Sequence, residues 1–391
     1  MESTFLTAEH ARLAAEAWAF ARDSLAPAAA SEEAADDVDS LARRFVRKMA
    51  EAGILRHCVP AAFGGATERV SFRSLCVIRE ALAYASGLCD SMFALQGLGA
   101  GPIAFFGSTE QRAEWLPKVA AGTAIAAFAM SEPGAGSDLS AIATTARREN
   151  SHFVLDGVKR FISNAGIADF YVVFARAGNP GEKPALSAFL VPGDNPGVRV
   201  QERFDLLAPH PIGEIALDEC RLPRSALIGE EGRGLPVALA TLDAFRPTVG
   251  AAALGLARRA LDESLDRVTS RIQFGKKLAD QEGVQFMLAD MATELDAARL
   301  LVYRAAYRQD MGLSRITLEA AMAKAYATEV AQQIVDRAVQ LHGAAGLVRG
   351  YEVERLYREV RALRIHDGAT EIQKVVIARE LIQRHLGEAA E

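Results

Sequence analysis

Little in this chain of 391 residues points to metal, disulfide, nucleic-acid or membrane chemistry. The four cysteines, Cys58, Cys76, Cys89 and Cys220, show no Cys-x-x-Cys spacing. That excludes zinc-ribbon and thioredoxin-like readings and leaves buried, reduced thiols of a cytosolic protein. The seven histidines form no i, i+4 pair of the kind that holds zinc beside a carboxylate. Lys and Arg total 44 against 50 Asp and Glu, a net charge of −6, so no broad cationic stripe is available for nucleic acid. No apolar run approaches the roughly 18 residues of a membrane span. The opening Met1-Glu2-Ser3-Thr4-Phe5 lacks the basic-then-apolar order of a signal peptide. The expectation is a cytoplasmic, soluble protein with neither nucleic-acid nor membrane partner.

What is present is the material of a multi-part globular protein. Half the residues are hydrophobic and 24% charged, and the length suits two or three subdomains rather than one core. From Thr7 to about Ala121 the chain is alanine-rich, with leucines and aromatics at helical spacing, which reads as a helical bundle. The character changes near Ile125. Phe153–Phe161 places two β-prone runs around Asp156-Gly157, a short hairpin signal. Further β-type runs follow at Phe170–Phe174, Leu186–Val191 and Ile215–Leu217, separated by clusters such as Gly178-Asn179-Pro180-Gly181. After Pro236 the helical period returns. Leu288, Met291, Leu295, Ala298, Val302 and Ala305 form one apolar stripe, and Ile316, Ala320, Ala323, Ala327, Val330 and Ile334 a second. The reading is mainly α with a β insert. It comprises an N-terminal helical domain (1–124), a small middle β-barrel or sandwich (125–235) and a C-terminal four-helix bundle (236–391).

Two segments carry the chemistry. Ala129-Met130-Ser131-Glu132-Pro133-Gly134-Ala135-Gly136-Ser137-Asp138 mixes small hydroxyls with glycines, so backbone amides can approach a flat polar ligand closely. It lacks the third glycine and the βαβ pattern of a dinucleotide fingerprint. Ile365-His366-Asp367-Gly368-Ala369-Thr370-Glu371-Ile372-Gln373 sets one carboxylate before a glycine and a helix-like run. As a sequence feature Asp367 reads either as a base or as a helix N-cap.

Four further motifs lie in order between these: Phe161-Ile162-Ser163-Asn164-Ala165, Asp243-Ala244-Phe245-Arg246-Pro247, Arg271-Ile272-Gln273-Phe274-Gly275 and Gln340-Leu341-His342-Gly343. With the two segments above, the chain resembles the acyl-CoA dehydrogenase family over nearly its full length. These are FAD-dependent enzymes that introduce α,β-unsaturation into acyl thioesters. By that resemblance Phe128 to Ser137 wraps the isoalloxazine, with Met130 and Ser131 hydrogen-bonding to it and Ser137 reaching the pantetheine or phosphate part of the substrate. Phe161 and Ser163 cover the flavin face and bond its edge. Arg271 and Phe274 meet the FAD pyrophosphate across a subunit boundary, where an arginine fork suits two phosphate oxygens. Gln340 and Gly343 bind the adenosine half of a partner's FAD, implying a homodimer or homotetramer. Thr370 and Glu371 complete the cofactor contacts. Asp243, Arg246 and Gly368 line the acyl-thioester site, although an intrahelical ion pair accounts equally for Asp243 and Arg246.

The resemblance makes Asp367 the α-proton acceptor while flavin N5 takes the β-hydride, with an electron-transfer flavoprotein as electron acceptor. The family usually carries Tyr-Glu-Gly-Thr where this chain has His366-Asp367-Gly368-Ala369. Aspartate is shorter by one methylene, about 1.5 Å, a displacement that can cost about a hundredfold in rate. Burial over a flavin is expected to raise the pKa of Asp367, and His366 to fill space. Ala369 removes a hydroxyl contact, and Glu282 stands where the family commonly has glutamine. Phe245 occupies the position from which some isovaleryl-type members supply the base, and a phenyl ring accepts no proton. The small residues between Ala94 and Gly99 hint at room in the acyl pocket. Two other readings compete: a nitroalkane-oxidase-like flavin oxidase using Asp367, and a non-catalytic acyl-thioester-binding paralogue. An acyl-carrier-protein thioester remains an alternative to acyl-CoA.

Overall fold

The computed structural model describes residues 4–25, 37–178, 185–313 and 315–387. The cluster Asn179-Pro180-Gly181 and the first three residues lie outside them. In chain order the helices are α1 (Ala8–Phe20), α2 (Val38–Glu51), α3 (Phe72–Ala85), α4 (Gly87–Phe106) and α5 (Thr109–Ala120), then α6 (Gly234–Ser270), α7 (Glu282–Asp310), α8 (Thr317–His342), α9 (Glu352–Leu363) and α10 (Thr370–His385). Strands β1 (Ala126–Ala129), β2 (Thr145–Glu149), β3 (His152–Ser163), β4 (Phe170–Ala177), β5 (Ala185–Pro192), β6 (Val198–Arg203), β7 (Ile212–Pro223) and β8 (Leu227–Ile228) fall between α5 and α6. The expected order of helices, β insert and helices is the observed one. Contacts divide the chain into two compact units, one of Met1–Ala34, Phe72–Asp90 and Asp243–Glu391, the other of Ala35–Ser71 and Ser91–Leu242.

The second of these units holds the sheet, ordered β6-β7-β3-β2-β4-β5-β8, with β1 added parallel to β4. Its core is made by inward residues at alternate positions along the strands, among them Phe153, Leu155, Tyr171, Val173, Phe189, Val191, Ile215 and Leu217. The hairpin expected at Asp156-Gly157 is not there. β3 runs straight through, and the pair sits at a register shift opposite β7. Gly157 takes φ +154°, and a Cβ on it would lie 2.5 Å from Oγ1 of Thr144. The Asp156 carboxylate accepts from the Glu219 amide at 2.8 Å. A glycine inside a β run has marked an irregularity, not a reversal. The reversal lies one step earlier, between β2 and β3, where Asn150 adopts φ +50°.

Helix α5 begins with a capping box: Ser108 accepts from the Gln111 amide while Gln111 Oε1 accepts from the Ser108 amide. In α4, Gln96 is fully buried and its amide bridges Ala124 O and Ala126 N, both at 2.8 Å, fixing the start of β1. Gly99 then lets helix and strand touch, since a Cβ there would stand 2.7 Å from that of Ala126. Gly99, at least, therefore serves close packing, whatever room the segment leaves.

In the other unit both apolar stripes lie where the periodicity puts them: Met291, Leu295, Ala298, Val302 and Ala305 of α7 are buried, as are Ala320, Ala323, Ala327, Val330 and Ile334 of α8. Glu80 of α3 ties that helix to α7, accepting from Arg299 and from Tyr303 Oη at 2.8 Å. Gly255 of α6 permits an approach so close that a Cβ would fall 2.3 Å from Glu80 O. By length and composition α6 contains one window apolar enough to cross a membrane, contrary to the sequence expectation; 83% of that window is buried inside the protein. The apolarity belongs to a core helix. All four cysteines are buried, as expected.

Candidate functional site

The carboxylate singled out by sequence stands on a tight turn between α9 and α10. Asp367 takes φ +54° and Gly368 φ +94°, two left-handed residues in succession. Aspartate is one of the few L-residues that tolerate this region, and glycine is the default there. A Cβ on Gly368 would lie 2.4 Å from Nε2 of Gln373. The turn is closed by Thr370 N donating to Arg364 O at 3.1 Å. It is pinned at the Gly368 carbonyl, which accepts from Lys324 Nζ at 2.8 Å and Gln373 Nε2 at 3.0 Å. Asp367 is not a helix cap. The N-cap of α10 is Ala369, with no side-chain hydrogen bond, so the carboxylate is left for other work.

Its surroundings are cationic. Nδ1 of His366 lies 3.2 Å from Asp367 Oδ2, so this histidine partners the carboxylate and does not merely fill space. Burial pushes the Asp367 pKa upward. The His366 hydrogen bond and charge, with the charges of Lys324 and Arg79, outweigh that and hold it below the usual carboxylate value. The expected upward shift is thus reversed in the free protein. Arg79, itself buried, is forked onto Asp90 at 2.8 and 2.7 Å and donates to Thr248 Oγ1 at 3.0 Å. Lys324 is fully buried, and burial pushes its ammonium down to about 8, with Asp367 opposing that fall and Arg246 reinforcing it.

Asp243 and Arg246 do form the i, i+3 ion pair on α6, with Thr317 Oγ1 donating to Asp243 at 2.7 Å. Arg246 nevertheless reaches the turn: its Nη2 is 3.9 Å from where a Gly368 Cβ would be. Among the described residues, Arg246 Nε and Gln373 Oε1 are buried polar atoms without a hydrogen-bond partner. Thr370, expected to face a cofactor, is instead buried and donates to Glu329 at 2.7 Å, beside Arg364; Glu371 is exposed. Phe245 packs edge-on against Phe72 with centroids 5.5 Å apart.

The glycine-rich segment lies in the sheet-bearing unit. β1 delivers Phe128, whose ring packs on Phe174 at 5.0 Å, and Met130, half-buried. Glu132 turns inward, accepting from Lys159 Nζ at 2.8 Å and from the amides of Ala143 and Thr144 at 2.6 and 3.0 Å. Lys159 also donates to Met130 O at 3.1 Å, and Ser131 O accepts from the Arg160 amide at 2.9 Å. These bonds fix Met130 to Glu132; beyond them Pro133, Gly134, Gly136 and Ser137 face outward while Ala135 is buried. Gly134 and Gly136 face open space and Ser137 is exposed. Phe161 is 57% exposed, at φ +57°, its ring against Phe204 at 5.0 Å. A phenylalanine held out of the core on strained backbone is not core packing. Ser163 Oγ sits 2.7 Å from His210 Nε2.

The remaining predicted residues are on the surface. Phe274 is 95% exposed at φ +52°, on the turn of a two-strand ribbon (Ile272–Gln273 and Lys276–Lys277) that follows Arg271. Arg271, Glu282, Gln340 and Gly343 are exposed, with Gly343 at φ +63°. Sequence reasoning missed Lys324, Gln373, Arg79, Asp90, Lys159, Glu132 and His210 as partners of the named residues. The one available signal was a lysine inside an apolar helical or strand pattern.

Comparison with known proteins decides the family. The N-terminal, middle and C-terminal domain models of acyl-CoA dehydrogenase match residues 7–123, 127–220 and 232–382. The chain belongs to the acyl-CoA dehydrogenase family. It is 37% identical over 382 residues to cyclohexane-1-carbonyl-CoA dehydrogenase of Geobacter metallireducens, covering 97% of this chain and 99% of that one. The structure of butyryl-CoA dehydrogenase from Megasphaera elsdenii superposes with a TM-score of 0.90 at 30% identity, covering 98% and 100% of the two chains. That of glutaryl-CoA dehydrogenase from Mycobacterium smegmatis in complex with FADH2 does so with a TM-score of 0.88 at 28% identity, covering 96% and 95%. The acyl-CoA dehydrogenase family comprises flavoprotein oxidoreductases acting on CH–CH groups, with FAD as cofactor. The residues present suit FAD: an outward aromatic at Phe161, a serine–histidine pair at its strand end, and a loop whose two open glycines leave its backbone unshielded.

Proposed function

We propose that this acyl-CoA dehydrogenase family member catalyses α,β-dehydrogenation of an acyl thioester, with Asp367 as the base that takes the α-proton. The observation that carries the reading is the turn itself. A partly exposed carboxylate, 27% accessible at its side chain, is held on left-handed backbone and released from any capping duty. The thioester carbonyl acidifies its α-carbon, Asp367 accepts that proton, and the electron pair of the broken C–H bond forms the double bond. FAD, when bound, supplies the two-electron acceptor that removes the β-hydrogen as hydride. Arg246 and Gly368 border the reacting carboxylate, with Asp243 orienting Arg246. Met130, Ser131, Ser137, Phe128, Phe161 and Ser163 are assigned to flavin and pantetheine contacts. Arg271, Phe274, Gln340 and Gly343 are assigned to the FAD diphosphate and adenosine across a homodimer or homotetramer contact. Thr370 supports the turn and Glu371 takes any direct cofactor contact there.

We assign an electron-transfer flavoprotein as acceptor, a cytoplasmic location, and functional divisions at 1–124, 125–235 and 236–391. The deciding experiment is an anaerobic screen of acyl-CoAs for bleaching of the flavin spectrum, with Asp367→Asn as control. A nitroethane arm with oxygen as acceptor covers the oxidase reading. Turnover of nitroethane without bleaching by any acyl thioester would replace the present proposal.

A further inference from the structure

A fully buried lysine is out of place in an apolar helix. Lys324 sits on α8 between the stripe residues Ala323 and Ala327, where an aliphatic side chain would satisfy the packing pattern. Burying an ammonium costs several kcal/mol unless it is compensated. The direct hydrogen-bond acceptor of Lys324 is a carbonyl, Gly368 O at 2.8 Å, and not a carboxylate. That carbonyl already accepts from Gln373 at 3.0 Å, so a neutral donor meets the backbone's need without lysine. What Lys324 adds is positive charge next to the residue that follows Asp367.

We propose that Lys324 is a positioning residue for Asp367: it anchors the left-handed turn through the Gly368 carbonyl, one residue from the carboxylate. The inference rests on Asp367 being the base and goes beyond it by naming what holds that base in place. The groups facing Lys324 come from four elements. Asp367 on the turn and Glu371 on α10 favour its charge, as does Glu329 one turn along α8, while Arg246 of α6 opposes it. The Asp367 carboxylate also feels Arg79 of α3 and its neighbour His366. Burial lowers the Lys324 ammonium to about 8, so deprotonation there removes the cationic anchor. The turn then loses its ionic anchor at the Gly368 carbonyl while Asp367 stays ionised.

The test uses the FAD-loaded enzyme and the acyl-CoA that bleaches it best, followed as the pH dependence of kcat/KM. The wild type is expected to show an alkaline limb near pH 8. Lys324→Arg keeps the charge and ionises far above the assay range, so that limb disappears while the acid limb stays. Lys324→Met loses at least tenfold in kcat and its acid limb moves to higher pH, because Asp367 has lost a cation. FAD content, measured by absorbance, stays at the wild-type level. A Lys324→Met enzyme that is slower with both limbs unmoved shows a filler of space and overturns the inference. So does a Lys324→Arg enzyme that keeps the wild-type alkaline limb, and this arm decides the matter if the methionine variant does not fold. If Asp367→Asn retains full bleaching, the functional reading itself fails. If Asp367→Asn is dead and the Lys324 limbs do not move, only the positioning role fails.

Discussion

Lys159 and Glu132 form a buried ion pair, Nζ to Oε1 at 2.8 Å, that ties strand β3 to the segment following β1. Because Lys159 also holds Met130 O and Glu132 holds two backbone amides, one pair fixes the whole base of the glycine-rich loop. Lys159→Met leaves an uncompensated carboxylate indoors and is expected to cost about 3–5 kcal/mol. Denaturant unfolding of the FAD-free protein measures it, and a change under 1 kcal/mol counts against the pair's role.

The same pair sets an acid dependence. The Glu132 pKa lies below its usual value: burial pushes it up, and the Lys159 and amide hydrogen bonds more than reverse this. A depressed carboxylate stabilises the fold above its unfolded value of 4.5 and loses that contribution as pH falls through the folded one. Glu132→Gln is therefore expected to be less stable at neutral pH but to lose less stability on acidification below 4.5. Parallel curves for the two proteins contradict the assignment.

Phe161 combines exposure with left-handed backbone, a conformation that costs a β-carbon-bearing residue about 1–2 kcal/mol. Phe161→Gly relieves that strain and removes the ring. FAD-free stability is expected to hold or rise while FAD affinity falls at least tenfold, read by flavin fluorescence titration. Unchanged affinity would remove Phe161 from the cofactor site.

His366 and solvent both act on Asp367. His366→Ala removes the first of the groups that hold its pKa down, so the acid limb of kcat/KM moves to higher pH. In the wild type, a bound thioester covers the exposed part of the carboxylate, and the acid limb of kcat lies above that of kcat/KM. Coincident limbs in wild type and variant speak against His366 as a partner of the base.

How far the sequence was legible follows from the range of each interaction. The stripes of α7 and α8 repeat every three or four residues, so local spacing placed them, and the same holds for β4 and β5. Asp156-Gly157 misled because the dipeptide that closes a hairpin also suits a register shift. Only the partner strand, some 60 residues on, tells them apart. Asp367 stood out by its local motif, and Arg246, which approaches Gly368, by its own, yet Lys324 and Arg79 act on Asp367 from α8 and α3. Nothing in their neighbourhoods announces a shared site, except a lysine in an alanine stripe. The downward direction of the Asp367 shift was illegible for the same reason.

The most direct test of the account is single-turnover flavin reduction under anaerobic conditions with Asp367 replaced. Asp367→Asn is expected to bind FAD normally and to slow bleaching by the best acyl-CoA by at least a thousandfold. Asp367→Glu, one methylene longer, is expected to retain measurable reduction. Bleaching by Asp367→Asn within tenfold of wild type contradicts the claim that this carboxylate takes the proton.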